Sequence, residues 1–361
     1  MNNYIANYSF IERQLHNIAF STTSIQIGIA DLESRLFSKS LQNIEIRKPV
    51  FITALPRAGT TLLLELCAQL DNFVSHSYND MPFLLTPIIW NSFSRHFKTS
   101  SEPRERAHGD GMIINVDNPE AFDEIIWKYF WASHYRKDVI IPWTDSEYPV
   151  FEKFIYSHLR KIILIKGERS GEAVRYITKN NLNISRLKYL TQLFPDSIIV
   201  IPFRSPLQHA TSLLRQHQNF INIHKKDAFT ARYMEAIGHY DFGDNLRPVN
   251  FNNWFYSRKS TGPESLNFWI EYWVNTYRYL IENIPERCFF FSYDTLCADP
   301  QQTLKLFFER LEIHAIDHIE RMIKQIRQKS PYPIDLRTID NSFLIEAEYL
   351  FQQLEKMSKI S

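Results

Sequence analysis

Residues 50 to 70 constrain the fold more than any other stretch of the chain. Val50-Phe51-Ile52-Thr53-Ala54-Leu55 is an apolar run of strand length. Leu62 to Leu70 is an apolar run of helix length, and Pro56-Arg57-Ala58-Gly59-Thr60-Thr61 between them is turn-like. Strand, tight turn and buried helix form the first half of a βαβ unit, which needs a parallel sheet covered on both faces. Further strands are expected at Phe73–His76, Ile162–Ile165, Ser197–Phe203 and Cys288–Phe291. Helices are expected at Pro119–Tyr135, Glu152–Arg160, Ser185–Phe194, Leu207–Gln218, Glu264–Asn283 and Gln301–Leu311, and Tyr293–Ala298 reads as a loop. The C-terminal third is helical and polar. The pattern is α/β: a three-layer sandwich around a central, mostly parallel sheet.

Two segments depart from this alternation. Residues 8–40 carry apolar positions at helical spacing (Phe10, Ile11, Leu15, Ile18, then Ile25, Ile29, Leu32, Leu36), so residues 1–47 read as a helical N-terminal extension. Residues 77–120 are irregular and Pro-punctuated, and a large insertion is expected over about 77–160. No linker divides 48–361, which reads as one domain. With 361 residues and 44% apolar content the chain can bury one large core.

The remaining bulk numbers exclude whole function classes. Net charge is +1, without the basic excess of a nucleic-acid binder. Three cysteines, Cys67, Cys288 and Cys297, form no CxxC pair and no disulfide framework; Cys67 and Cys288 sit in apolar runs as core fillers. The N-terminus lacks the basic and apolar regions of a secretory signal, and no apolar run is long enough to span a membrane. A cytoplasmic enzyme fits these features.

In open parallel sheets ligands bind beyond the carboxyl ends of the strands, so the residues immediately after each strand are the candidates for a site. After the first strand, Gly59 can turn successive backbone N–H groups into a concave nest. The helix start adds free amides and a positive dipole end, Thr60 and Thr61 add hydroxyl donors, and Arg57 adds a bidentate cation. Together they suit a terminal phosphate or sulfate. The loop is not a Walker A motif, because G-x-x-x-x-G-K-[ST] is absent. After the strand 198–203 comes Arg204, and Ser212 lies about two helical turns on; an Arg at a strand tip and a Ser on the next helix can grip one phosphate from two sides.

The motifs together resemble the family of PAPS-dependent sulfotransferases (PAPS, 3′-phosphoadenosine-5′-phosphosulfate). Pro56-Arg57-Ala58-Gly59-Thr60-Thr61 is similar to the family's 5′-phosphosulfate loop, and Arg204-Ser205-Pro206 through Ser212 is similar to its 3′-phosphate site. Phe291-Ser292-Tyr293-Asp294-Thr295-Leu296, followed by Asp299-Pro300, is similar to its Y-E-D-L…D-P segment, in which the Tyr lies near the adenine. The resemblance covers residues 48–312. It implies a P-loop-like sandwich that takes PAPS as donor, with adenosine-3′,5′-bisphosphate as product and no metal. Arg57, Ala58, Gly59, Thr60 and Thr61 would hold the 5′ end, Arg204 and Ser212 the 3′-phosphate, and Tyr293 the base.

The proton acceptor is less legible. Lys179-Asn180-Asn181 resembles the K-T-H of cytosolic members; Lys179 matches the Lys that touches the transferring group, but Asn181 stands where the basic His would be. Arg57 and Lys179 would stabilise charge in an in-line displacement. Two other residues are candidates for the base. Asp80 comes after the second strand, where many members place a carboxylate, commonly Glu. His108 lies in Arg106-Ala107-His108-Gly109-Asp110-Gly111. His209, Gln216 and His217 could line the acceptor side or lie on the surface. His314 and His318 have metal-compatible spacing but no third ligand, and Arg327 to Pro333 could close over the 3′-phosphate. Met81 to Leu85 and Trp90 suggest an apolar wall for a glycan, a lipid or a small natural product. A homodimer formed through the N-terminal helices is a further expectation. A P-loop nucleotide kinase and a non-catalytic adenosine-bisphosphate-binding module are the alternatives.

Overall fold

The computed structural model describes residues 10–94, 104–105, 113–114, 120, 122–144, 147–167, 174–327 and 330–360. The strands in chain order are β1 (Val50–Ile52), β2 (Phe73–Val74), β3 (Arg104–Glu105), β4 (Ile113–Ile114), β5 (Arg175–Lys179), β6 (Ile198–Phe203) and β7 (Cys288–Ser292). Five of them form one sheet in the order β2-β5-β1-β6-β7, with every neighbouring pair parallel. β3 and β4 pair antiparallel apart from it.

Side chains alternate cleanly between two cores. Phe51, Ile199, Ile201, Phe203 and Phe290 face one cluster, together with the helices Pro149–Lys166, Leu187–Leu193, Pro206–Lys226, Leu266–Asn283 and Asn341–Ile360. Val50, Ile52, Val200, Phe289 and Phe291 face the other, with the helices Thr60–Cys67, Pro300–Arg310 and Ile316–Ile323. This is the expected three-layer α/β sandwich. Both faces are covered, so β1 and β6 are buried at every position, as their continuous apolar sequences require.

The order of the strands sets where a ligand can enter. From central β1 the chain runs to the edge strand β2, returns as β5 beside β1, then crosses to β6 on the other side. The switch falls at the carboxyl end of β1, where adjacent connections diverge and leave a crevice.

Several local expectations are corrected. Ile162–Ile165, expected as a strand, is the end of the helix Pro149–Lys166. A short apolar run does not distinguish a buried helix from a buried strand. Here Pro149 occupies the first helical turn, and Phe151, Phe154, Ile155, His158, Leu159 and Ile162 continue a helical burial pattern into the run. The strand is instead Arg175–Lys179, whose polar ends hide four consecutive buried positions. Tyr293–Ala298, expected as a loop, is a helix capped by Ser292 Oγ, which accepts from Thr295 N. Within the helix expected over Pro119–Tyr135 the described residues are α-helical over Glu124–Phe130, and within Ser185–Phe194 the end of the 3₁₀ turn Asn181–Arg186 leads into the helix Leu187–Leu193. The N-terminal helices Phe10–Ser21, Thr23–Leu36 and Ser38–Gln42 are formed. They dock through a buried ion pair, Glu33 with Lys161 Nζ at 2.9 Å, and through Lys161 donating to Ala30 O at 2.7 Å. Cys67 and Cys288 are buried thiols, and no described helix is long and apolar enough to cross a membrane.

Candidate functional site

A cleft of about 670 Å³ opens at the carboxyl end of β1. Its floor is the turn after β1, where Pro56, Arg57 and Gly59 line it. Two residues there have left-handed backbone, Arg57 (φ 70°) and Gly59 (φ 98°). Gly59 accepts this conformation without cost, whereas Arg57 holds it against a steric penalty. At Gly59 the requirement is double, because a Cβ would lie 2.5 Å from Cδ2 of Tyr293. The helix Thr60–Cys67 starts directly after Gly59, so its first amides face the cleft.

The loop is propped from the β6 side. His209 is fully buried and its Nε2 donates to Pro56 O at 2.8 Å. Burial, reinforced by the charge of Arg204, pushes the pKa of His209 down to about 3, so the ring is a neutral strut. Arg204 donates to Arg57 O at 3.2 Å, and its guanidinium lies 4.8 Å from the centre of the Tyr293 ring. Among the described residues its buried Nε has no hydrogen-bond partner. Pro206 then starts the helix Pro206–Lys226, which carries Ser212 back to the cleft, where Ser212 Oγ accepts from Arg57 Nε at 3.4 Å. Asp294, the residue after Tyr293, accepts from Ser205 N at 2.6 Å and ties the β7 end to the β6 end.

The structure therefore brings Arg57, Gly59, Thr60, Thr61, Lys179, Arg204, Ser212 and Tyr293 to one cleft. Ala58 is fully buried within the loop. Lys179 is the last residue of β5, in register with Ile52. Lys324, Arg327, Ser330, Pro331 and Tyr332 form the outer rim. Tyr332 is strapped to the Ser212 helix by a reciprocal pair with Gln208: its N donates to Gln208 Oε1 at 2.7 Å and its O accepts from Nε2 at 3.1 Å. Five cations and three carboxylates line the space (Arg57, Lys179, Arg204, Lys324 and Arg327 against Glu65, Asp241 and Asp294), so the cleft favours an anion although the whole chain is nearly neutral.

Other sequence candidates fall elsewhere. Asp80 lies just beyond β2 as expected but does not line the cleft; it is buried in a capping box. Its Oδ2 accepts from Ser77 N at 2.8 Å and from Lys166 Nζ at 2.6 Å, with His76 Nδ1 at 3.4 Å. Burial alone would raise its pKa. The hydrogen bond with His76 and the charge of Lys166 outweigh burial and hold it well below the usual carboxylate range. A carboxylate so engaged is a poor proton acceptor. His108 lies outside the described residues. His209, Gln216 and His217 are buried and none is a surface residue; His217 Nδ1 accepts from Gly243 N at 3.1 Å. His314 and His318 are exposed, and no metal-binding cluster forms among the described residues.

The sequence reading missed Asp241, which lines the cleft beside Lys179 and Asn181. Asn181 Nδ2 donates to Asp241 Oδ2 at 2.8 Å, while Thr60 Oγ1 reaches Asn181 Oδ1 at 3.3 Å. No local signal marks Asp241, which lies 60 residues from its partner.

The comparisons with known proteins bear on the family and the fold. A family model described as "Sulfotransferase family" matches residues 49–243, more than half of the chain. Among solved structures, the sulfotransferase STF9 from Mycobacterium avium is similar, with a TM-score of 0.53 at 11% identity, covering 98% of this chain and 88% of that one. The sulfotransferase STF1 from Mycobacterium tuberculosis H37Rv gives a TM-score of 0.43 at 12% identity, covering 90% and 80%. No curated protein matches the sequence.

Proposed function

The chain belongs to the sulfotransferase family, and from that premise we propose that it moves a sulfuryl group from PAPS onto a hydroxyl or amine of a glycan, a lipid or a small natural product. The observation that carries this reading is the meeting of two anion grips in one cleft: the left-handed loop at Arg57–Gly59, and Arg204 with Ser212. The buried Nε of Arg204, without a partner among the described residues, is a donor open to an anion. The cleft also has the size of a small-molecule site.

In this reading the donor substrate supplies an activated sulfuryl group, and the chain supplies position and charge. The amides at Gly59–Thr61 and the guanidinium of Arg57 hold the 5′ end. Arg204 and Ser212 hold the 3′-phosphate, the feature that separates this donor from ATP, and Tyr293 flanks the base. Lys179 stabilises charge on the oxygens of the transferring group. Calorimetric titration with adenosine-3′,5′-bisphosphate, AMP and ATP, without added metal, tests the reading. Binding that requires the 3′-phosphate and weakens about 100-fold in Arg204→Ala is expected, as for a lost charge-assisted contact. Equal or tighter binding of ATP would sink it in favour of a nucleotide kinase.

A further inference from the structure

Resting on that reading, we propose that the Asp241 carboxylate is the proton acceptor of the transfer reaction, held in place by Asn181 and backed by His239. Of the carboxylates that line the cleft, Asp294 is engaged by the backbone N–H of Ser205. Glu65 lies further along the loop helix, in its second turn. Asp241 lies instead where the end of β5 meets the loop, alongside Lys179, Asn181 and Thr60. It accepts its hydrogen bond from the neutral side-chain amide of Asn181, and no lysine or arginine among the described residues pairs with it. The imidazole of His239 stands at 3.7 Å from Oδ2. His239 is faced by Asp241, Lys179 and Glu120, and burial, the largest influence, lowers its pKa, so the ring stands beside Asp241 as a neutral imidazole.

This arrangement differs from an ordinary surface carboxylate. Asp241 is largely enclosed, with its side chain 11% exposed, yet it opens onto the cleft. Thr60 to Asn181 to Asp241 is a continuous hydrogen-bonded path from the phosphate-binding turn to the carboxylate. The path fixes the carboxylate relative to the group being transferred, as general-base catalysis requires. In the step, the acceptor oxygen forms its bond to sulfur and the bond from sulfur to the 5′-phosphate oxygen breaks. The electron pair of that bond stays on the phosphate, and the acceptor proton passes to Asp241 and then to solvent.

The experiment measures release of adenosine-3′,5′-bisphosphate from PAPS by wild type and Asp241→Asn, with water, alcohols and phenols of graded acidity as acceptors, beside calorimetric titration of the bisphosphate. Asp241→Asn is expected to bind the bisphosphate as tightly as wild type or about 3-fold more tightly, because a negative charge facing a polyanion is removed. It is expected to release product about 100-fold more slowly with alcohols or unsubstituted phenol. With a nitrophenol that is already ionised the deficit should nearly vanish, an effect that a merely structural role would not produce. Asn181→Ala should fall between the two proteins. Undiminished release by Asp241→Asn, a deficit independent of acceptor acidity, or bisphosphate binding without turnover by wild type would each overturn the assignment and leave the donor site standing. Failure of wild type to bind the bisphosphate would instead defeat the donor reading.

Discussion

The carboxyl ends of β2 and β6 make an instructive pair. Each delivers a charged residue just beyond a buried strand, and both residues stand out in the sequence. At the β2 end, Asp80 meets Lys166, His76 and a backbone amide, and its charge is neutralised within the protein. At the β6 end, Arg204 stacks on Tyr293 and donates to a carbonyl; among the described residues no carboxylate pairs with it. A buried charge needs a partner. Where the chain provides the partner the group is structural, and where it does not the partner is left to come from a ligand. Arg186 is a second example of the first kind, fully buried between Trp127 and Trp143 and paired with Glu124.

The strongest way to break this comparison is to remove the two charges in turn. Asp80→Ala should lower unfolding stability by about 3 kcal/mol, since it strips a buried partner from Lys166 and His76, and should leave bisphosphate affinity unchanged. Arg204→Ala should do the reverse, with denaturation nearly unaffected and affinity lost. Urea denaturation and calorimetry on both variants would measure the four quantities; loss of ligand binding in Asp80→Ala with intact stability would invert the assignment.

A smaller effect is expected at the floor of the cleft. Gly59→Ala must adopt left-handed backbone and push the Tyr293 ring aside, which should cost about 1–2 kcal/mol of stability and about 10-fold in bisphosphate affinity. In a Gly59→Ala, Tyr293→Ala double variant the stability losses should be less than additive if the ring contact is the cause.

A third way to sharpen the comparison is through pH. His209 props the Arg57–Gly59 loop with a pKa pushed down to about 3, and His16, lowered by burial, sits at about 4. An unfolded histidine titrates near ~6.5. Below that value the unfolded chain takes up protons that the folded chain refuses, so stability is full above it and falls as pH drops toward 4. Each residue contributes roughly 1 kcal/mol per pH unit across that window. His209→Gln should flatten its share of the slope in pH-dependent unfolding, and an unchanged slope would remove His209 from the account.

Legibility in the sequence tracked the range of the interactions involved. The turn Pro56–Thr61, the Arg204–Ser212 spacing and the strands β1, β6 and β7 were readable because residue chemistry, strand length and turn preference act over a few neighbouring positions. Ile162–Ile165 was misread because a short apolar run suits either secondary structure, and only the helix running from Pro149 decides it. β5 escaped notice because the short run Arg175–Lys179 has charged residues at both ends.

The sequence by itself determined the α/β alternation and which residues could hold an anion. The tertiary structure decided which charges are spent inside the protein and which remain for a ligand. It placed Asp80 with Lys166, 86 residues away, and Asp241 with Asn181, 60 residues away. Neutralisation and desolvation depend on groups that come within a few ångströms of each other in space, and no spacing along the chain encodes that proximity.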